Sequence, residues 1–324
     1  MKLRYAADVR TLLWVAMMFI FALTPYFNPA MSWWLWPVSC YFALAAGVIA
    51  HNHNHTPTFT SRGVNQVFGI ILSLFYGYPT FAWVPTHNLN HHRYVNRAGD
   101  ATITWRYNKN HTWPVAFTYF FVSSYWQSEP IQDYIKKARA SNPKLFRQIV
   151  TQYAIWIGFH ATMITIAVSL YGGWVGLRIW LLAFGIPAFF ALWTIMFFNY
   201  IQHIHADPWS KTNHSRSWTS PLLNFMLFNN GLHAAHHEAG GAHWTKLPEI
   251  QARLTPHIDP RLVHYSFWAF CFRQYIVAPF IPSVGTQQVG RAAYDPPSDA
   301  PPSFATTITG EVEATEAGVN SAII

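Results

Sequence analysis

The stretch Thr86-His87-Asn88-Leu89-Asn90-His91-His92-Arg93-Tyr94 decides how the rest of the chain is read. It places three histidines within six residues, at i, i+4 and i+5, after the apolar residues 81–85 and before a basic, polar continuation. On an α-helix, positions i and i+4 stand on one face, so the spacing predicts that His87 and His91 serve one metal ion. His92, turned by about 100° from His91, then faces a second. Taken alone, the stretch reads equally well as three polar residues near a helix end. Three further clusters in the chain separate those readings.

Composition fixes the setting. Of the 324 residues, 52% are apolar, 18% aromatic and only 10% charged, against about 25% charged in soluble proteins. A membrane protein is expected. Cys40 and Cys271 lie in apolar surroundings and form neither a disulfide framework nor a Cys-x-x-Cys motif, so any metal is held by histidine. The formal net charge is +8, yet five of the thirteen acids (Asp295, Asp299, Glu311, Glu313, Glu316) fall in the last thirty residues. The body is therefore more basic still. Such a body suits an anionic lipid surface or an acidic protein, and its apolar content argues against nucleic-acid binding.

Four apolar segments have the length of about 20 residues that a membrane crossing needs: 11–26, 31–50, 149–170 and 174–198. They pair into two hairpins through the turns Phe27-Asn28-Pro29 and Tyr171-Gly172-Gly173. The second hairpin ends directly on Asn199, as the first ends on His51. The first segment has no small-residue cleavage site after it, so it reads as an uncleaved span and not as a signal peptide. Segments 64–84, 113–126 and 263–279 are apolar but interrupted, and read as interfacial. With the N-terminus in the cytosol, only Arg178 among the 21 lysines and arginines lies near the outer face. That bias is the positive-inside pattern, and it places every histidine cluster on the cytosolic side. The expected fold is an all-α integral membrane protein: four transmembrane helices in two hairpins, interfacial helices, and a cytosolic histidine-rich cap. Residues 1–284 form the membrane domain, and 285–324, rich in proline and acids, form a disordered tail.

The other clusters are His51-x3-His55, Asn199-x3-His203 and His233-x2-His236-His237. Together they offer nine histidines and one asparagine, too many for one ion and suited to two. Imidazole accepts zinc, copper, iron and nickel, so ligand type alone leaves the metal open. A structural zinc site usually has four ligands, commonly including cysteine, and no thiol cluster is present. Two adjacent metals beside a membrane point to oxygen chemistry on an apolar substrate, for which iron is the natural choice.

The order H-x3-H, H-x3-HH, N-x3-H, H-x2-HH, with paired spans before the first and third elements, resembles the membrane fatty acid desaturase/hydroxylase superfamily over roughly residues 10–280. The run Asn213-His214-Ser215-Arg216 and the stretch Asn229-Asn230-Gly231 are similar to its bacterial members. The resemblance implies an integral membrane enzyme in a bacterial inner membrane. It implies two iron ions held by His51, His55, His87, His91, His92, His203, His233, His236 and His237, with Asn199 a ligand through water. It also implies O2 as co-substrate, a fatty-acyl chain as substrate, and an external ferredoxin-, rubredoxin- or cytochrome b5-like electron donor. Desaturation is the leading expectation. Hydroxylation, or decarboxylation to a terminal alkene, would use the same ligands. No His-Pro-Gly-Gly haem motif is present, so no fused cytochrome b5 domain is expected.

Several residues are candidates for outer roles around these ligands: His53, His205, His214, Asp100, Asp207 and Glu238. His160, inside the third span, reads as a neutral imidazole bonded to a neighbouring helix, and His111, His257 and His264 as ordinary polar residues. A metal-binding transporter or sensor is the non-enzyme alternative. It would place polar ligands inside its spans, where this chain has only His160. Arg93, Arg97, Lys136 and Lys137 are expected to face an acidic electron donor.

Overall fold

The computed structural model describes residues 2–298 and 300. The rest of the tail expected from Gly285 onward lies outside the described residues. The described chain divides into two compact units, one of residues 2–85 and 131–195, the other of residues 86–130 and 196 onward. The protein is an all-α membrane protein, and among the described residues four helical segments are long and apolar enough to cross a bilayer: Ala6–Phe27, Pro29–His55, Pro143–Tyr171 and Gly173–His203.

In the first unit, α1 (Val9–Phe27) packs along α2 (Ser32–His55), and α2 packs on α3 (Arg62–Tyr76). The expected turns hold. Asn28 leaves α1 with extended backbone, its side-chain oxygen accepts from the Ala30 N–H, and Pro29 follows where no donor is needed. α2 runs past the expected end at Ala50 because no proline or glycine interrupts the chain before Pro57. His51 and His55 therefore sit on one continuous helix, one turn apart, with ring centroids 4.9 Å from each other. Leu3 bridges to Phe59 in the loop beyond α2.

The segment expected at 64–84 to lie partly buried is a broken helix. α3 ends at Gly77, and the chain resumes at Thr80 after a bend of 97°. Gly77 makes that break possible: its φ is +95°, and a Cβ there would meet the Ala188 Cβ at 2.7 Å. The exposed backbone is tied up locally. The Ser73 hydroxyl accepts from the Thr80 N–H at 2.9 Å, and the Thr80 hydroxyl donates to the Gly69 carbonyl at 2.6 Å.

The second unit contains the end of the turn Val84–His91, α4 (His92–Tyr94) and the first part of α5 (Trp113–Ser141). The first unit resumes with α6 (Pro143–Tyr171), α7 (Gly173–Trp180) and most of α8 (Ile186–His203). The second unit then adds the end of α8, β1 (Ser217–Trp218), α9 (Pro221–Met226) and α10 (His233–Glu238). It closes with α11 (Leu247–Leu254), β2 (Val263–His264) and α12 (Phe267–Phe272). β1 and β2 pair in parallel, Ser217 opposite Val263 and Trp218 opposite His264. Trp218 is fully buried among Phe198, Phe267 and Phe270.

Two segments expected to be interfacial carry exposed apolar residues every fourth position in this unit: Trp113, Phe117, Phe121 and Tyr125 on α5, and Trp268, Phe272, Ile276 and Phe280 from α12 onward. Among the first described residues of the expected tail, Val289 and Ala293 are buried and most of the others are exposed or half-buried. Val289 is buried against Ala206, Ala234, Ile258 and Leu262, and its N–H donates to the His205 carbonyl at 2.9 Å.

Gly77→Val is expected to destabilise the protein by about 1–3 kcal/mol, since it combines overpacking with a left-handed β-branched residue. Thermal unfolding in detergent should show a lowered Tm, and an unchanged Tm would refute the close-packed break.

Candidate metal centre

The site begins with an irregularity in the backbone. From Val84 to His91 the chain winds as a π-helix, with i→i+5 bonds in place of i→i+4. In such a wide turn, positions i+4 and i+5 fall on either side of position i. His87 and His92 accordingly meet, their Nε2 atoms 3.1 Å apart. His91 is directed elsewhere. His87 and His91, expected to share one ion, offer their donor atoms to different groups, although their rings stay stacked 5.4 Å apart.

α10 makes the same division at ordinary α-helical pitch. His233 and His237, at i and i+4, bring their Nε2 atoms to 3.1 Å. His236 turns to the other side, where its Nε2 lies 2.9 Å from that of His92 and 3.3 Å from that of His87. His203, the last residue of α8, completes the first set, with its Nε2 3.0 Å from that of His233. Two groups result. His91, His203, His233 and His237 offer ligand atoms all within 4.8 Å of one another. His87, His92 and His236 converge beside them, with the His92 and His237 ring centroids 4.7 Å apart.

These distances suit a metal. Two imidazole nitrogens at about 2.1 Å from one ion lie about 3.0–3.4 Å apart at octahedral or tetrahedral angles. The orientation of each ring supports the same conclusion. The His91 Nδ1–H donates to Asp100 Oδ2 at 2.8 Å, with the Thr102 hydroxyl at 3.0 Å, and leaves Nε2 buried with no hydrogen-bond partner in the described residues. His203 donates from Nδ1 to the His214 carbonyl at 3.2 Å, which presents its Nε2 to the cluster. Carboxylate or carbonyl acceptors on the far nitrogen are the usual means of fixing a ligating tautomer. The cluster also favours the neutral, ligating form. Burial, reinforced by the imidazoles of His233, His92, His91 and His203, holds His237 well below the usual histidine range.

Asp100 is the anchor of this arrangement. Burial alone would raise its carboxyl, but His91, Thr102 and the Asn96 N–H outweigh burial and hold it at about 2. It therefore stays charged at neutral pH. Asn96 also reaches the His203 carbonyl with its side-chain amide at 3.3 Å. On the other side of His203, the fully buried Arg216 donates to the carbonyls of Ile201 and Ile204, satisfying acceptors at the end of α8. Burial lowers its guanidinium to about 10, so it remains charged.

The remaining sequence candidates divide. Asp100 touches His91, and the ring of His214 packs on His237 at 5.3 Å. Asn199 stands one turn before His203, and its amide donates to the Tyr119 hydroxyl at 3.0 Å. His51 and His55 face each other in the first unit, where His51 packs on Trp83. His53 ties the loop after α2, donating to the Asn65 carbonyl and accepting from Thr58. His205 bonds Thr286 and packs on His111, Asp207 accepts from the Trp209 N–H, and Glu238 is exposed. His160 accepts from the Trp180 indole at 3.4 Å, as its place in a span predicts. Thr102, Asn96 and Tyr119 join the site without belonging to any histidine cluster. The only signal for them is the short polar run Asp100-Ala-Thr102 shortly after the central cluster.

A family model described as fatty acid desaturase matches residues 28–269. Neither the curated proteins nor the solved structures give a significant match.

Asp100→Asn keeps the shape of this residue but removes the charge behind His91. Metal affinity should fall about 10–100-fold, measured by chelator competition on purified protein, and the metal-free form should also lose stability, because the depressed Asp100 carboxyl supports the fold at neutral pH. Wild-type affinity would rule out the orienting role.

Proposed function

Since this chain belongs to the fatty acid desaturase family, we propose that it is an O2-dependent di-iron oxidoreductase that desaturates a fatty-acyl chain. The observation that carries the reading is the convergence of His91, His203, His233 and His237 beside His87, His92 and His236. This donor set is all imidazole, split into two neighbouring groups. On the sequence pattern, His51, His55 and the water-mediated ligand Asn199 belong to the same set. When bound, two irons supply the activation of O2 with two external electrons and two protons, so that two hydrogens leave the acyl chain and two waters form.

The chain's own contribution is positional. Asp100 and Thr102 fix the ring of His91, and the His214 carbonyl fixes that of His203. Burial keeps water from the reacting carbon and favours the neutral form of His203 and His237. The distribution of lysine and arginine supports a cytosolic position for the histidines, with a bacterial inner membrane as the setting. Electrons come from a ferredoxin-, rubredoxin- or cytochrome b5-like protein.

Membranes containing the protein, supplied with isotope-labelled fatty acids and a reducing system, should yield products lighter by two hydrogens in mass spectrometry. Gain of one oxygen would assign hydroxylation, and loss of CO2 decarboxylation. His91→Ala and His236→Ala should each lower bound iron and reduce product to background. Full activity with normal iron content in both variants would refute the ligand assignment.

A further inference from the structure

A short hydrogen-bonded line runs outward from the metal centre and ends at a tryptophan near the surface of the second unit. His91 Nδ1 meets Asp100 Oδ2 at 2.8 Å, the same oxygen accepts from the Asn96 N–H at 2.7 Å, and the Asn96 carbonyl accepts from the Trp105 indole N–H at 2.8 Å. Only the backbone of Asn96 intervenes between the last two bonds. The line therefore consists of a few covalent bonds and three short hydrogen bonds, from a partly buried indole to the ring whose Nε2 faces the metal position.

Around the outer end of this line, cations lie on aromatic rings. Tyr294 packs edge-on against Trp105 at 5.7 Å, and the Lys109 ammonium sits 3.9 Å from the centre of the Tyr294 ring. Trp209, whose indole donates to the Ala292 carbonyl two residues before Tyr294, carries Arg97 at 5.5 Å. Arg106 lies over Trp126 at 4.0 Å and donates to the Asp100 carbonyl. None of Arg97, Arg106 and Lys109 forms an ion pair with a carboxylate among the described residues. The one acid in residues 93–109, Asp100, is buried and bonded to His91, and it acts on Arg97 and Arg106 only at a distance, as Glu129 does on Arg106.

We propose that the Trp105–Tyr294 surface, ringed by Arg97, Arg106 and Lys109, is the docking site of an acidic one-electron iron–sulfur donor. Trp105, Asn96 and Asp100 form the route by which its electron reaches the His91 side of the centre. This rests on the di-iron reading above and gives it a point of entry. Each encounter passes one electron: the donor's cluster is oxidised by one, one ferric ion at the site is reduced to ferrous, and no atom is transferred. Two encounters supply the two electrons of a turnover. The cations select an acidic partner and speed its approach, and Trp105 is a positioning residue for the transfer.

The test uses the full-length protein in nanodiscs and a reduced [2Fe–2S] ferredoxin, whose visible absorption reports its own oxidation in stopped flow. Arg106→Glu with Lys109→Glu should weaken ferredoxin binding about tenfold or more at low salt, with a smaller effect at high salt. Trp105→Phe keeps an aromatic ring but removes the indole donor. It should hold wild-type iron, yet accept electrons several-fold more slowly at ferredoxin concentrations that saturate binding. A wild-type transfer rate in Trp105→Phe, or wild-type Kd in the double variant, would overturn the proposal. So would a binding defect that appears in anionic nanodiscs and vanishes in neutral ones, because it would assign the cations to the lipid surface. The di-iron reading fails on a different result: wild-type protein that holds no iron and takes up no electrons from dithionite.

Discussion

The pitch of one turn governs the arrangement of the centre. Had residues 84–91 formed a regular α-helix, His87 and His91 would share a face and His92 would stand apart. The π turn brings His92 round to His87 as well, while His91, still stacked on His87 at 5.4 Å, offers its donor atom to the set of His203, His233 and His237. A single segment thus contributes to both groups of imidazoles, and His91 and His92 are adjacent residues that serve different groups. Wide turns of this kind cost backbone regularity and recur at functional sites. Here the compensation lies next door: Asn90 accepts from the Ala101 N–H and donates to the Gly99 carbonyl, fastening the turn to the loop that carries Asp100.

That loop explains how so many imidazoles remain in one small volume. Protonated rings at these separations would repel one another strongly in a buried setting. The fold avoids the conflict by burying the rings, which favours the neutral form, and by admitting one carboxylate, Asp100, which accepts from His91, the Asn96 N–H, and the Thr102 N–H and hydroxyl. His203 is oriented by a neutral group, the His214 carbonyl. Arg216, the buried cation of this region, is directed at helix-end carbonyls and not at the imidazoles.

Much of this could be read from the sequence because the relevant signals are local. Four apolar runs of spanning length become four long helices, and the turns at Asn28 and Gly172 lie where proline and glycine mark them. Seven of the histidines singled out converge because short spacings place them on common turns. The pairing within the central cluster was not legible, since nothing in Thr86–Tyr94 distinguishes a π turn from an α turn. Thr102, Asn96 and Tyr119 were equally silent. Their roles come from contacts with residues up to about a hundred positions away, as when Asn96 reaches the carbonyl of His203.

Packing of residues 285–294 gives the catalytic region a boundary that composition does not reveal. The stretch looks like the start of a dispensable tail, yet Thr286 holds His205 and Val289 fills a core that includes Ala234 of the histidine helix α10. A chain cut at the onset of the proline-rich region would lose the apolar contact of Val289, about 1.5–3 kcal/mol for a fully buried side chain. It would also uncover one flank of the helix that presents His233, His236 and His237. Minimal versions of this protein therefore have to be measured from Tyr294, and not from the last membrane helix.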